Sequence, residues 1–357
     1  MMLRKHCLLH MINNGIMGWW QMFARRNHVV NKQVAFAACL FFVATLFISG
    51  AQAQVKKIRV ATPGYTVSML PFFAAKLNGY YAAEGLDVDL LATRAPTANL
   101  AVLSGSVEFS AVPLAGLTTA LRGAPLKLLF VPFDKPQHEL FVKPEIQGIQ
   151  ALRGKKIAVA GIGTIGEVIL REYLTANGLD AGHDVTLLGI GAPETRLASL
   201  LSGTFDGAML IAPYTLNAKD AGFRAMVVFK DHNFVLPSGG IVARDEFLRS
   251  EPVMVEKFVR ASLMGFLFAR DNRSEAVKVL VRCLKIDEPM ATNIYDSSRP
   301  IMTSDGALSE ETQKKMIAFF SKMAGAKDVS SADKVFDFSI LRKAQATLQT
   351  RGWKPAL

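Results

Sequence analysis

The sequence predicts an α/β protein built from two similar lobes behind a short N-terminal leader. Three observations carry this reading. Strand and helix patterns alternate from Ile58 onward, the pattern recurs after about a hundred residues, and residues 1–53 differ in composition from the rest. With 357 residues, 50% of them hydrophobic and 20% charged, the chain can bury a sizeable core, which excludes wholesale disorder and fibrous architectures.

The leader reads as an export signal. A basic stretch ending at Lys32 precedes Val34–Ser49, sixteen residues without a charge, and then Gly50, Ala51, Gln52 and Ala53. Small residues at Ala51 and Ala53 fit the signal-peptidase rule, so cleavage is expected near Ala53, with a mature chain beginning at Gln54. An uncleaved anchor is the alternative, because the run is only slightly short for a spanning helix. Cys7 and Cys39 fall in the leader and Cys283 stands alone in the helical pattern VKVLVRCLKI, so no internal disulfide is expected. Cys283 reads as a small buried hydrophobe.

Net charge excludes one broad class. The chain has 41 Lys plus Arg against 30 Asp plus Glu, and five of the basic residues lie in the acid-free leader. The remainder is only mildly basic, with no run of Lys and Arg interleaved with aromatics, so nucleic acid is not an expected partner.

The first α/β unit starts with the strand IRVAT at Ile58. The loop PGYTVS, the helix MLPFFAAKL, a turn at Asn78 and Gly79, and the alternating strand EGLDVDLLAT follow. The second starts at Ile157 with IAVA, then GIGTIG, the helix EVILREYLTANGL and the strand VTLLGI. APTANLAVLSGSVEF, from Ala95 to Phe109, then matches APETRLASLLSGTFDG, from Ala192 to Gly207, at Ala-Pro, Leu-Ala and Leu-Ser-Gly with a one-residue gap. Each copy continues through a short strand, a Pro, a helix and another strand. Repeats of this size are domains and not solenoid units, so two lobes follow, each with a mostly parallel sheet covered by helices. LPSGGIVARDEF supplies a further strand. From Pro252 the chain is mainly helical, in VMVEKFVRASLMGFLFAR, SEAVKVLVRCL, SEETQKKMIAFFSKM and LRKAQATL.

GYTVSMLPFFAAKLNGYYAAEGLDVDL, LSGSVEFSAV, ALRGKKIAVAGIGTIG, LLSGTFDGAMLIAP and GGIVARDEFL, in this order, resemble the periplasmic substrate-binding proteins of ABC importers. The branch resembled handles nitrate, sulfonates, taurine and thiamine-precursor pyrimidines, and the resemblance covers residues 56–357. It implies the type II periplasmic-binding-protein clamshell, two lobes joined by two strand crossovers with the ligand held between them. The implied crossovers fall near Phe141–Pro144 and Gly240–Asp245. The domain expectation is therefore a signal peptide at 1–53, lobe one at 54–143, lobe two at 144–238, and the rest of lobe one with the C-terminal helices at 239–357.

The ligand loops that the resemblance implies face the cleft from the carboxyl ends of the sheet strands, which is where open α/β sheets bind ligands in general. The loops so placed are Gly64–Ser68, Thr93–Thr97, Val112–Ala115, Gly161–Ile165 and Ala212–Tyr214. They nominate Tyr65, Thr66, Ser68, Arg94, Pro113, Leu114, Gly163, Thr164, Pro213 and Tyr214 as ligand-binding residues. Thr66, Ser68 and Thr164 bring hydroxyls to helix starts, whose free N–H groups attract anions. Pro113 and Pro213 begin helices where a missing N–H costs little. Tyr65 and Tyr214 offer an apolar face with a polar tip, and Arg94 a bidentate anion contact. Each has a plainer alternative: N-capping for Thr66 and Ser68, packing for the two tyrosines, a solvated surface charge for Arg94.

Gly161, Gly163 and Gly166 form a GxGxxG between strand and helix, the context of a dinucleotide loop. The acid that should close the next strand is missing, since VTLLGI ends at Gly191 and Ala192, so no cofactor is expected. His138, His183 and His232 show no metal-ligand spacing, so no metal is expected either. There is also no GxSxG elbow. His138 lies near a crossover and reads as a surface or core histidine. The expected function is a monomeric, non-enzymatic solute-binding protein of the periplasm. It takes a small anionic or aromatic molecule of the sulfonate, nitrate, carboxylate or pyrimidine class for an ABC permease and its ATPase. The alternatives are an enzyme on the same clamshell, of the pyrimidine-synthesis or menaquinone-pathway type, or a ligand-sensing domain.

Overall fold

The computed structural model describes residues 55–93, 95–232, 234, 236–324 and 331–355. The leader with its expected cleavage near Ala53 lies outside the described residues, and so does Arg94.

Two α/β units follow one another. In the first, β1 (Lys56–Thr62) and β2 (Leu86–Ala92) are parallel, from Lys56 opposite Leu86 to Thr62 opposite Ala92. Between them run α1 (Leu70–Leu77) and the single turn α2 (Tyr80–Ala83). Gly79 makes the turn between the two helices at a φ of 72°, a left-handed conformation that a Cβ would disfavour. α3 (Ala95–Leu103), β3 (Phe109–Ser110), α4 (Pro113–Leu121) and β4 (Leu126–Phe130) complete the unit. The second unit comprises β5 (Glu139–Val142), β6 (Lys156–Val159), α5 (Ile165–Ala176), β7 (Thr186–Gly189), α6 (Pro193–Leu201), β8 (Gly207–Leu210), α7 (Tyr214–Asp220) and β9 (Arg224–Val228). The chain then returns as β10 (Ile241–Arg244).

The sheet orders are β2-β1-β3-β10-β4 and β7-β6-β8-β5-β9. The repeat is therefore visible in the topology: β2-β1-β3 corresponds to β7-β6-β8, and β4 to β9. In the remaining equivalent position each sheet holds a strand that borders a passage between lobes, antiparallel to both neighbours. This is the two-lobed, mostly parallel architecture that the alternating pattern predicts.

The passages differ in position from the expected ones. β5 pairs with β8 and β9 from Glu139 onward, so the chain leaves the first sheet within 131–138 and not at Phe141–Pro144. It returns within 229–240, ahead of the strand expected to carry the second crossover. A lobe boundary between 143 and 144 would sever β5 from its sheet. ELFV is apolar and ends at Lys143 and Pro144, so in sequence it reads as the last strand of lobe one.

The C-terminal part adds α8 (Asp245–Ser250), α9 (Pro252–Asp271), α10 (Arg273–Leu284), α11 (Glu288–Ser298), α12 (Glu310–Ala324) and α13 (Ser339–Thr350). α9 lies against α1 at Gly265, where an added Cβ would stand 2.6 Å from the Ala75 amide nitrogen. The Phe258 ring of α9 stacks on Phe109 at 4.1 Å and on Tyr81 at 5.4 Å, which ties the C-terminal helices to the first sheet. Met254, Phe258, Phe266 and Phe268 of α9 are thus core. α11 was not signalled by its polar sequence; it starts at Asp287, whose carboxylate accepts from the Met290 N–H at 2.8 Å. Among the described residues no helix is long and apolar enough to cross a membrane.

Candidate functional site

The carboxyl ends of β1, β2 and β3 face those of β6, β7 and β8 across a cavity of about 510 Å³. Lobe one contributes the loops after its strands, lobe two contributes residues around Thr164, Arg196 and Tyr214, and the two passages contribute His138 and Ser238. This is the position that open α/β sheets reserve for ligands.

Of the nominated residues, Tyr65, Thr66, Ser68, Pro113, Leu114, Thr164 and Tyr214 line this cavity. Tyr65 is 55% exposed and stacks on Phe73 with centroids 5.7 Å apart, while Tyr214 stands on the opposite lobe, half-buried. Thr66 and Ser68 are buried, and neither hydroxyl caps a helix; they bond each other, Oγ1 to Oγ, at 2.8 Å. Pro113 opens α4 and Leu114 is buried beside it. Thr164 precedes α5, and its Oγ1 donates to the Gly161 carbonyl at 2.7 Å. Gly163 lines a second, neighbouring cavity of about 600 Å³, and Pro213, immediately before α7, lines neither.

GIGTIG also has a packing role. An added Cβ at Gly166 would meet the His138 ring at 3.0 Å, so this glycine makes room for an imidazole of the cavity wall. His138 is therefore a cleft residue. Its Nδ1 is buried without a hydrogen-bond partner among the described residues. Burial, with the Arg196 cation nearby, lowers its pKa to about 3, so the ring is neutral at physiological pH.

The residue that sequence reasoning missed is Arg196. It lies on the buried stripe of α6 with Pro193, Leu197 and Leu200, and only 3% of it is exposed. Its Nε donates to the Met209 carbonyl at 2.7 Å, and a second guanidinium nitrogen donates to the Gly191 carbonyl. No ion pair reaches it among the described residues. Burial lowers its pKa to about 10, opposed by Glu194 and Tyr214, so it remains protonated at neutral pH. Glu194 accepts from the Tyr214 hydroxyl at 3.4 Å; burial, then this carboxylate, raises the phenol pKa. The signal was present in the sequence. An arginine spaced three and four residues from Pro193 and Leu200 belongs to the apolar face of its helix, where a cation needs a reason.

The NMT1/THI5-like family model matches residues 66–276. The chain belongs to the NMT1/THI5-like family. Among relatives of this family member, the riboflavin-binding protein RibY of Chloroflexus aurantiacus is 27% identical over 59% of this chain, and the match spans 61% of that relative's length. A putative aliphatic sulfonates-binding protein of Bacillus subtilis is 23% identical over 87% of this chain and 96% of its own. Among solved structures, the alkanesulfonate-binding protein SsuA of Xanthomonas axonopodis pv. citri, bound to MOPS, superposes with a TM-score of 0.66 at 18% identity, covering 80% of this chain and all of its own. The desulfurization enzyme DSZB shares the fold at a TM-score of 0.62 and 14% identity, over 82% of this chain and 99% of its own. This NMT1/THI5-like protein thus has the two-lobed fold of periplasmic binding proteins, a fold that also carries an enzyme.

Proposed function

We propose that the protein is exported to the periplasm and, as a monomer, captures a small anionic or aromatic molecule between its lobes for uptake by an ABC permease and its ATPase. The observation that carries this reading is Arg196, a buried guanidinium in the cleft wall whose only hydrogen-bond partners among the described residues are backbone carbonyls. A buried charge is costly until an opposite charge meets it. A ligand carboxylate, sulfonate or phosphate entering the cleft meets it without displacing a protein carboxylate.

Tyr65 and Tyr214 face the cavity from different lobes and give an aromatic ligand two surfaces. Contacts made only when both lobes engage the ligand favour the closed form, and a permease that reads the closed form distinguishes loaded from empty protein. Relatives named for riboflavin and for sulfonates support ligands of both descriptions. An enzyme is the second reading, favoured by His138, Glu194 and Tyr214 in one cavity wall and by an enzyme of the same fold.

A thermal-shift screen of sulfonates, nitrate, carboxylates, pyrimidines and flavins, with recovery of each hit, separates the two. A ligand at a hundred times its Kd adds about 2.7 kcal/mol of stability, a shift of several degrees. Recovery of the ligand unchanged supports capture, and consumption of the ligand supports the enzyme. Mass spectrometry of the secreted protein is expected to show Gln54 as its first residue; a retained leader would contradict cleavage near Ala53.

A further inference from the structure

The internal repeat places Asn99 where its second copy has Arg196. Ala95-Pro96-Thr97-Ala98-Asn99 aligns with Ala192-Pro193-Glu194-Thr195-Arg196, and both polar side chains are 3% exposed. The cavities follow the same relation. Arg196 lines the first together with the 63–68 loop of the other lobe, and Asn99 lines the second together with the equivalent loop of its other lobe, at Ile162, Gly163 and Thr164. The two cavities share Ala115 and Thr164 in their walls, so they adjoin.

Their chemistry differs. Both the nitrogen and the oxygen of the Asn99 amide are buried without a hydrogen-bond partner among the described residues. Native structures rarely tolerate such a group without a ligand or water to satisfy it. A buried charge in this cavity wall is already paired: Glu167 accepts from Arg171 Nε at 2.7 Å and from the Gly163 N–H at 3.1 Å. Arg122 and Glu172, of opposite sign, also line this cavity. Its wall therefore holds an unsatisfied amide where its counterpart's holds a cation with no ion-pair partner among the described residues.

We propose that the second cavity is a binding half-site in which Asn99 recognises a neutral planar group that carries a donor beside an acceptor, such as the lactam or imide edge of a heterocycle. A carboxamide pairs with that edge through two hydrogen bonds, the complementarity by which Asn reads adenine. The cavity's volume of about 600 Å³ suits a group of this size. The ligand is then bipartite, with its anion at Arg196 and its heterocycle at Asn99. This inference rests on the proposed function, because it assumes that the cleft captures a solute.

The test is titration calorimetry of the full-length protein and its Asn99→Leu variant with four probes. Methanesulfonate carries the anion alone, uracil and riboflavin carry a neutral imide edge, and riboflavin 5′-phosphate carries both. Asn99→Leu is expected to weaken the neutral probe that binds, and riboflavin 5′-phosphate, at least tenfold, while methanesulfonate affinity stays within twofold. The ligand-free thermal midpoint is expected not to fall, because the substitution removes an unpartnered amide. Where the Leu variant does not fold, Asn99→Ala removes the amide without adding bulk or charge and is expected to show the same discrimination. Wild-type protein that binds methanesulfonate but neither neutral probe overturns the half-site and leaves the proposed function intact. So does an Asn99 variant that binds the neutral probes as well as wild type. Wild-type protein that binds none of the four overturns both.

Discussion

His138 shows how a single side chain ties the site to stability. The ring stands in the cleft wall against Gly166, and burial beside the Arg196 cation holds its pKa near 3, well below the usual value of about 6.5. Unfolded chains take up a proton below about pH 6.5 that the folded protein refuses until near pH 3. The stability conferred by neutral His138 is therefore complete above pH 6.5 and declines as the pH falls. Urea unfolding at pH 7.5 and 4.5 is expected to show wild type losing about 2 kcal/mol more than His138→Gln on acidification. Equal losses would mean that the imidazole is reached by water and titrates normally. At the same scale, Gly166→Val is expected to destabilise the fold, because its Cβ enters the space of the ring.

Among the elements, α9 carries the most concentrated ionic structure. Arg260 is buried in it and donates through Nε to Glu84, at the end of α2, at 2.8 Å and through a terminal nitrogen to Glu256 at 2.7 Å. Arg351, just past α13, reaches Glu84 at 3.3 Å, and Lys343 in α13 reaches Glu256 at 2.7 Å, so three helices meet around one guanidinium. Burial alone would raise the Glu84 carboxyl, but hydrogen bonds and charge from Arg260 and then Arg351 outweigh it and hold the pKa below the ordinary range. Breaking a buried pair leaves a charge uncompensated, whereas replacing both partners with apolar groups does not. Arg260→Met is expected to cost about 3–5 kcal/mol in urea unfolding, and adding Glu84→Met to recover most of it. Failure of the double variant to recover would mean that the network shapes the packing itself. The ionised Glu84 contributes stability above its unfolded pKa, and that contribution is lost as acid protonates it.

For the whole molecule, the repeat was the most legible feature, because β-α-β units announce themselves through changing periodicity and because Ala-Pro, Leu-Ala and Leu-Ser-Gly recur in order. It showed two lobes, each with a mostly parallel sheet covered by helices, and the carboxyl ends of their strands pointed to loops of the cleft. Three things were hidden for physical reasons. The passages between lobes lie in 131–138 and 229–240, and no composition shift marks where a strand joins one sheet or the other. α11 is held by its cap and by neighbours in the fold, which its own polar sequence does not reveal. The ligand-facing place of Arg196 is the third, because its position on a helix stripe marks it as buried without showing that the stripe ends at the cleft. Closure of the lobes on a ligand is a property of the whole molecule: the radius of gyration from X-ray scattering is expected to fall on saturation, and an unchanged value would contradict hinge closure.

The proposed function requires the buried Arg196 cation to meet the ligand's anion, and substitution of that residue reads the contact. Titration calorimetry of an anionic hit from the screen, or of methanesulfonate, should be made against wild type, Arg196→Lys and Arg196→Met. Wild type is expected to bind one equivalent and return it unchanged. Arg196→Met should lose about 1.5–3 kcal/mol of affinity, and Arg196→Lys, which keeps the charge without the planar fork, should lie between them. Equal affinity in wild type and Arg196→Met, with all three proteins folded, would contradict the account.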